Sequence, residues 1–406
     1  MKVTAEDARR FLVARHLLAP ARSLEGGPGA VLEFLRRFGS LQYDPIAVAG
    51  RSHDLVLHAR IAGYEAAWSD SLYEQQELFE AVNKGLSFVL TSDYPWFRRS
   101  WSRNAQDVLA ENAEVAERVL ERVRADGPLA VGDFERERGA TTDWFGAPSN
   151  VVKAVLEAYT VTGVLGLARR DGNRRYYDVA ERLLPGDVLE RELPVQEQLR
   201  HMMLSRYRAH GLLGASSGGG VFDGLGPAKP DPRFPDLPGR TALREELIES
   251  GELVPVDVEG VRSTRFVLRD EVELLAEASE PAASVAFLSP FDPLIWDRDL
   301  LGALFEFDYV WDLFFPPAKR RFGWYVLPTL FRDRFVGRIE PHIDRDGGTV
   351  GVLGLWWEDD FAPRRADGFV DAMRDALRAY LAFAGASRIE WAPHLAKEKR
   401  LLGTRL

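Results

Sequence analysis

Apolar residues recur at helical spacing at Phe11, Leu12, Leu17 and Leu18, and again at Val31, Leu32, Phe34 and Leu35. Thr4 followed by Glu6 and Asp7 marks a helix start, so the first helix is predicted from Thr4 through Leu18. Gly26, Gly27, Pro28 and Gly29 break the chain, a second helix runs from about Ala30 to Arg37, and Gly39 stops it. Pro45 then disfavours the helical region for Asp44 and pushes Gln42 to Asp44 toward an extended or turn conformation. Two short helices, a turn and an extended segment predict a helix-turn-helix type module. The stretch from Leu78 to Leu90, interrupted by Asn83, Lys84 and Gly85, reads as a closing hairpin or a short helix with a turn.

Between Gly127 and Tyr177 the pattern is stronger. Leu129, Val131 and Phe134 suggest a short helix, and Val151, Val152, Val155, Leu156 and Tyr159 a second. Apolar runs at Val164, Leu165, Leu167 and at Tyr176, Tyr177, Val179 then flank a basic tip, Arg169 to Arg175, that contains Asp-Gly and Gly-Asn, a hairpin signal. Helix, helix, basic hairpin is the winged-helix order. It recurs with a helix from about Ala242 to Ser250, strand-like residues from Leu253 to Val258, and Phe266 and Val267 beyond Glu259 and Gly260. The Gly214 to Gly239 connection before it is rich in Gly, Pro and Asp and reads as a long ordered loop. Its Ser216 to Gly220 run lacks the Lys-Ser or Lys-Thr pair of a phosphate loop.

From Ser284 to Trp357 the texture changes to dense aromatics and strand-like runs such as Trp324 to Leu327 and Phe335 to Ile339. A helix from about Phe369 to Phe383 and a short strand at Ile389 and Trp391 follow. The expected fold class is α+β: three tandem winged helix-turn-helix modules, at residues 1–103, 104–190 and 191–279, and a β-rich domain with a terminal helix at 280–406.

The 406 residues are 46% hydrophobic and 28% charged, the profile of a globular chain of several domains. With no cysteine, thiolate chemistry and disulfides are excluded, and the reactive groups must be oxygen and nitrogen. An acidic start and the lack of a membrane-length apolar run make a cytoplasmic location the expectation. The formal net charge of −10 argues against indiscriminate nucleic-acid binding but leaves local patches open. Basic clusters stand at Arg98, Arg99 and Arg103, at Arg169, Arg170, Arg174 and Arg175, at Lys319, Arg320 and Arg321, and at Lys397, Lys399 and Arg400.

Candidate chemistry lies early. In an extended segment Gln42 and Asp44 point the same way and Tyr43 the other, which sets an amide beside a carboxylate. That pair suits the holding of one water against an electrophilic carbon, although Gln and Asp before Pro are also ordinary turn and cap residues.

The run Leu41, Gln42, Tyr43, Asp44, Pro45, Ile46, followed by Arg51, Ser52, His53 and Leu57, resembles the opening motif of the YcaQ and AlkZ family of winged-helix DNA glycosylases. The likeness includes Leu212 to Gly214, Leu288 to Leu294, and the run from Ala318 through Lys319, Arg320, Arg321, Phe322, Gly323, Trp324 and Tyr325 to Pro328. Gln42, Tyr43 and Asp44 are similar to the Gln-apolar-Asp pattern of the YcaQ branch. The resemblance implies winged-helix modules that cradle double-stranded DNA and a monofunctional hydrolase that excises alkylated purines, including N7-alkylguanine, and unhooks interstrand crosslinks. It also implies no cofactor or metal, a monomer associated with the nucleoid, and Gln42 and Asp44 as catalytic residues. Arg51, His53 and Arg60, the wing residues Arg169, Arg170, Arg174 and Arg175, and Lys319, Arg320 and Arg321 are the candidate DNA contacts.

Two other classes compete. Tandem winged helices alone would suit a non-catalytic regulator or architectural protein. A metal-dependent nuclease would need Asp292, Asp297 and Asp299, but these are separated by Pro293 and Arg298 and lack a histidine or carboxylate grouping.

Overall fold

Thr4 caps the first helix as its position requires: its side chain accepts the Asp7 N–H at 3.0 Å, and the helix runs Ala5–Arg15 with Phe11 and Leu12 buried. The second helix, Pro28–Phe38, begins on Pro28 inside the expected breaker, because a proline at the first helical position loses no bond, and ends on Gly39 in the left-handed region. The structure is a computed structural model that describes residues 1–134, 139–230 and 237–403. Packing divides it into two units. One comprises Met1–Ser69, Ser205–Phe222 and Thr241–Leu406, and the other Asp70–Leu204 and Asp223–Arg240.

In the first unit, helix Ser52–His58 is buried along its whole length, which an amphipathic pattern does not announce. Helix Arg240–Glu249 precedes the antiparallel strands Leu253–Val258 and Arg265–Leu268, as expected. Strand Lys2–Val3 adds in parallel on one side and Leu213–Gly214 on the other, so the sheet has four strands. Of the Gly214 to Gly239 connection, residues 231–236 lie outside the described residues. Its Ser216 to Gly220 stretch is a pinned turn, with Ser217 Oγ accepting the Gly214 N–H at 2.9 Å.

The C-terminal part is a five-stranded sheet of Val285–Phe287, Leu327–Phe331, Arg334–Asp344, Thr349–Trp357 and Arg388–Trp391, in that order, backed by helix Phe369–Ala384. The expected strand at Trp324 begins only at Leu327. Phe369, Met373, Leu377 and Tyr380 form the helix face buried in this core.

In the second unit, Leu78–Asn83 and Gly85–Leu90 form the hairpin, which decides between the two expected forms. Leu129 to Phe134 is only a 3-10 turn, Val131–Phe134; the helices that precede it are Arg103–Glu111 and Ala113–Asp126. Asn150 caps helix Val151–Thr162 through Val152 N–H at 2.9 Å, and the hairpin strands are Leu165–Asp171 and Arg174–Val179, joined through Gly172 and Asn173. Helix Val195–His210 carries the chain out of this unit into the first.

Candidate active site

Gln42 and Asp44 lie in the first unit, just beyond the Gly39 stop, and both are half-buried while Tyr43 is buried between them. The Tyr43 ring stacks on His53 with centroids 5.1 Å apart. Asp44 Oδ1 accepts the Ile46 N–H at 2.9 Å, a local turn that Pro45 enforces. Gln42 Oε1 is buried and accepts no hydrogen bond among the described residues. Burial raises the Asp44 carboxyl above its ordinary range, and only the Ile46 bond opposes this. Among the described residues no cation opposes that rise.

The residues that follow are seated on the C-terminal core. Ile46 and Val48 pack against it, the Ile343 N–H donates to the Val48 carbonyl at 3.0 Å, and Tyr380 Oη donates to the Ala49 carbonyl at 2.5 Å. Gly50 has φ of +107°, and a Cβ there would meet the Phe383 ring at 2.8 Å. The amide and carboxylate are thus held by groups some three hundred residues away in sequence, and no local pattern could have identified the clamp.

Tyr325 is the residue that sequence reasoning missed. It sits in the same core, fully buried, with its edge toward Trp311 at 6.0 Å between centroids, and its hydroxyl has no hydrogen-bond partner among the described residues. Burial pushes that hydroxyl well above its ordinary range, and the Asp44 carboxylate is the foremost of the neighbouring groups that push it further. The hydroxyl therefore stays protonated and able to donate. Its only sequence signal is its place in the aromatic run before Pro328.

The structure separates the other candidates. Arg51 is half-buried and turned onto Asp54, at 2.5 Å from Nε and 3.2 Å from the terminal nitrogen, and Tyr64 Oη donates to the same carboxylate at 2.7 Å. Despite burial, the neighbouring His53 imidazole and Arg51 guanidinium, with the Arg51 and Tyr64 hydrogen bonds, hold the Asp54 carboxyl below its usual range. His53 is fully buried under Tyr43, so the expectation that it meets phosphate is corrected: it supports the motif from beneath. Arg60 is corrected in the same way. Its guanidinium is fully buried, bonds Asp292 at 2.7 and 2.8 Å and the His16 and Val56 carbonyls at 2.9 Å, and leaves no face for a ligand.

Asp292 is therefore an ion-pair partner and the cap of Leu294, and Asp297 likewise caps Leu300 and bonds Arg265 at 2.6 Å. Among the described residues no group of three His, Asp or Glu side chains is placed to hold a metal.

On the hairpin, Arg169 and Arg174 are exposed, with the Arg169 guanidinium 3.6 Å from the Tyr176 ring centroid and Arg174 bonded to Asp133 at 2.8 Å. Arg170 closes on Glu80 at 2.5 and 2.6 Å, and Arg175 on Glu157 at 3.1 Å, and both are half-buried. The four hairpin arginines split into an exposed and a half-buried pair. Lys319 and Arg321 are exposed and Arg320 half-buried, with Arg320 Nε on the Phe315 carbonyl at 2.9 Å. The Lys397, Lys399 and Arg400 cluster is exposed on helix Ala396–Leu402, whereas Arg99 of the Arg98 cluster is buried.

Comparison with protein families places residues 35–383 of the chain on the model of a family described as DNA glycosylase AlkZ-like. Among solved structures, the chain is similar to the Streptomyces sahachiroi DNA glycosylase AlkZ, with a TM-score of 0.59 and 19% identity over 97% of this chain and 100% of that one. At that identity the structural likeness speaks for the fold.

Proposed function

The chain belongs to the AlkZ-like family of DNA glycosylases, and from that membership we propose that it hydrolyses the N-glycosidic bond of alkylated purines in double-stranded DNA, N7-alkylguanine foremost, and unhooks interstrand crosslinks. The observation that carries this reading is the state of two side chains two residues apart: among the described residues, the Gln42 carbonyl oxygen is buried without a donor, and the half-buried Asp44 carboxyl is raised by burial with no cation opposing it. Both groups accept hydrogen bonds, and a water molecule supplies two donors.

The chemistry follows from the substrate's charge. Alkylation at N7 makes guanine cationic, so the base departs neutral with the bonding pair and needs no general acid. What remains is positive charge growing at C1′ and a water to be delivered there. Asp44 stabilises that charge and takes the water's proton as the oxygen attacks, while Gln42 fixes the same water by accepting its second O–H. The raised Asp44 carboxyl is the better base for it, since a general base works best when its pKa approaches the working pH. The motif matches the Gln-apolar-Asp pattern, with Tyr43 in the middle place committed to His53.

We assign the helix and hairpin units as winged-helix modules, with Arg169 and Arg174 as phosphate contacts on the second module and Lys319 and Arg321 as a further pair of phosphate contacts. A monomer is proposed, acting on DNA in the nucleoid without a metal or other cofactor. The purified protein should release N7-methylguanine and unhook a nitrogen-mustard crosslink in EDTA, leaving an abasic site. Asp44→Asn should slow release by about two to four orders of magnitude with DNA binding retained, as for loss of a catalytic base. Sequence-selective binding with no base released would make the protein a regulator instead.

A further inference from the structure

Arg99 is the anomaly of the second unit. It is 5% exposed, yet no carboxylate lies within ion-pair distance of it among the described residues, and its one side-chain hydrogen bond is from a terminal nitrogen to the Val82 carbonyl at 2.7 Å. Its Nε is buried without an acceptor, as is the Nε of the adjacent Arg98. Buried guanidinium groups are ordinarily closed on a carboxylate, and the first unit obeys this rule at Arg15 with Glu271, Arg60 with Asp292 and Arg265 with Asp297. Burial pulls the Arg99 guanidinium down to about 10, and no nearby charge pushes back.

Both arginines line a cavity of about 170 Å³ whose other walls are largely aromatic and aliphatic, including Phe79, Phe97, Trp144, Phe145 and Leu167. The two acids that also reach it are already neutralised. Glu80 is held bidentately by Arg170, and Glu157 is bonded by Arg175, with burial raising its carboxyl above the ordinary range. The uncompensated charge in the largely apolar chamber is therefore positive. Phe145 is 67% exposed, and its ring lies 3.8 Å from that of Trp144, an aromatic pair at the rim. A chamber of this size admits one aromatic ring, since about 150 Å³ holds benzene.

We propose that this cavity is a binding site for a small planar aromatic acid, with the ring against the aromatic wall and the carboxylate on the Arg99 guanidinium. The carboxylate supplies the two parallel acceptors that a guanidinium fork takes, and the ring fills apolar volume that water occupies poorly. The site is independent of the Gln42 and Asp44 chemistry and is read without any activity measurement.

The test is fluorine NMR of the full-length protein with 4-fluorobenzoate, using 4-fluorobenzyl alcohol as the neutral comparator. The acid should bind with a Kd of about 1 mM or tighter, as expected for about ten non-hydrogen atoms, and at least about tenfold more tightly than the alcohol. Arg99→Gln should weaken the acid by at least about tenfold, the loss of a charge-assisted bond, and bring acid and alcohol level. Phe145→Ala, at an exposed position where folding is not at stake, should weaken both ligands while the melting temperature holds. Equal binding of acid and alcohol, binding that survives Arg99→Gln, no binding at all, or displacement of the acid by millimolar inorganic phosphate would each overturn the assignment.

Discussion

Asp44 differs from the other buried acids of its unit in what surrounds it. Asp54, Asp292 and Asp297 each face an arginine at hydrogen-bonding distance, whereas among the described residues Asp44 has one backbone N–H and no cation. Its raised carboxyl predicts the pH behaviour of the reaction. The base is the ionised form, so the rate of base release falls as pH drops through the Asp44 pKa, and this limb should lie above the ordinary carboxylate range in a single-turnover pH profile. A limb at or below that range would remove Asp44 from the role of base. Tyr325→Phe takes away a hydroxyl that bonds nothing else. It should therefore leave the melting temperature unchanged but slow release by about tenfold, the worth of one hydrogen bond made in the transition state, with the acid limb unmoved because the Ile46 N–H alone opposes the rise of the Asp44 carboxyl. A full rate would make Tyr325 plain core. Arg60 is the contrasting residue. Arg60→Ala strands Asp292 and should cost about 3–5 kcal/mol in urea unfolding, whereas the salt dependence of DNA binding should be unchanged.

At the scale of elements, the segment after the motif is positioned by shape as much as by hydrogen bonds. Gly50→Ala adds a methyl group at φ of +107° against Phe383 and should destabilise by about 1–3 kcal/mol. It should also lower the rate more than the binding, because the seat of Gln42 and Asp44 shifts with it. The wing gives a separate expectation. Arg169→Ala with Arg174→Ala should reduce the slope of log affinity against log salt by up to about two, roughly one per phosphate contact, while Arg170→Ala should instead loosen the fold around Glu80. Elements with a clean stripe and a local stop were legible in the sequence: Pro28–Phe38 with Gly39, Val151–Thr162 with Asn150 and Gly163, and the hairpin turning at Gly172. Ala113–Asp126 was hidden because only Ala116, Val119 and Val123 are buried among charged residues, and Ser52–His58 because polar residues are buried on every side. The site divides the same way. Gln42 and Asp44 were legible because Pro45 acts locally, but a buried arginine such as Arg60 or Arg99 has the same letter as a surface one, and only the distant Asp292, or its lack, distinguishes them.

Taken as a whole, the first unit has stored an acid sensitivity in its core. His16, His58 and His210 are all buried. Burial and Arg22 bring His58 down to about 3. Burial brings His210 to about 4 despite the opposing pull of Asp297, and burial with Arg15 and Arg60 puts His16 well below its ordinary value. In the folded unit His58 and His210 are neutral at pH 5 and His16 titrates below its ordinary value, whereas in the unfolded chain all three titrate near 6.5. Below that value the unfolded state binds more protons than the native state, so stability is fully present above pH 7 and is lost as pH falls through 6.5 toward 4. Each histidine contributes up to about 1.4 kcal/mol per pH unit in that window. The lowered carboxyls of Asp54 and Asp297 add a loss of the same sign, but only below the unfolded carboxylate value near 3.8, so the two regimes separate on the pH axis. The urea midpoint should accordingly be flat from pH 8 to 7 and fall steeply between 6.5 and 5. His58→Phe keeps an aromatic ring against Phe383, whose centroid lies 4.7 Å away, and removes one titrating group. Its midpoint should fall by about one proton's worth less per pH unit than that of the unsubstituted protein. Parallel curves for the two proteins would mean that His58 is protonated to the same extent folded and unfolded, and that its burial carries no acid penalty.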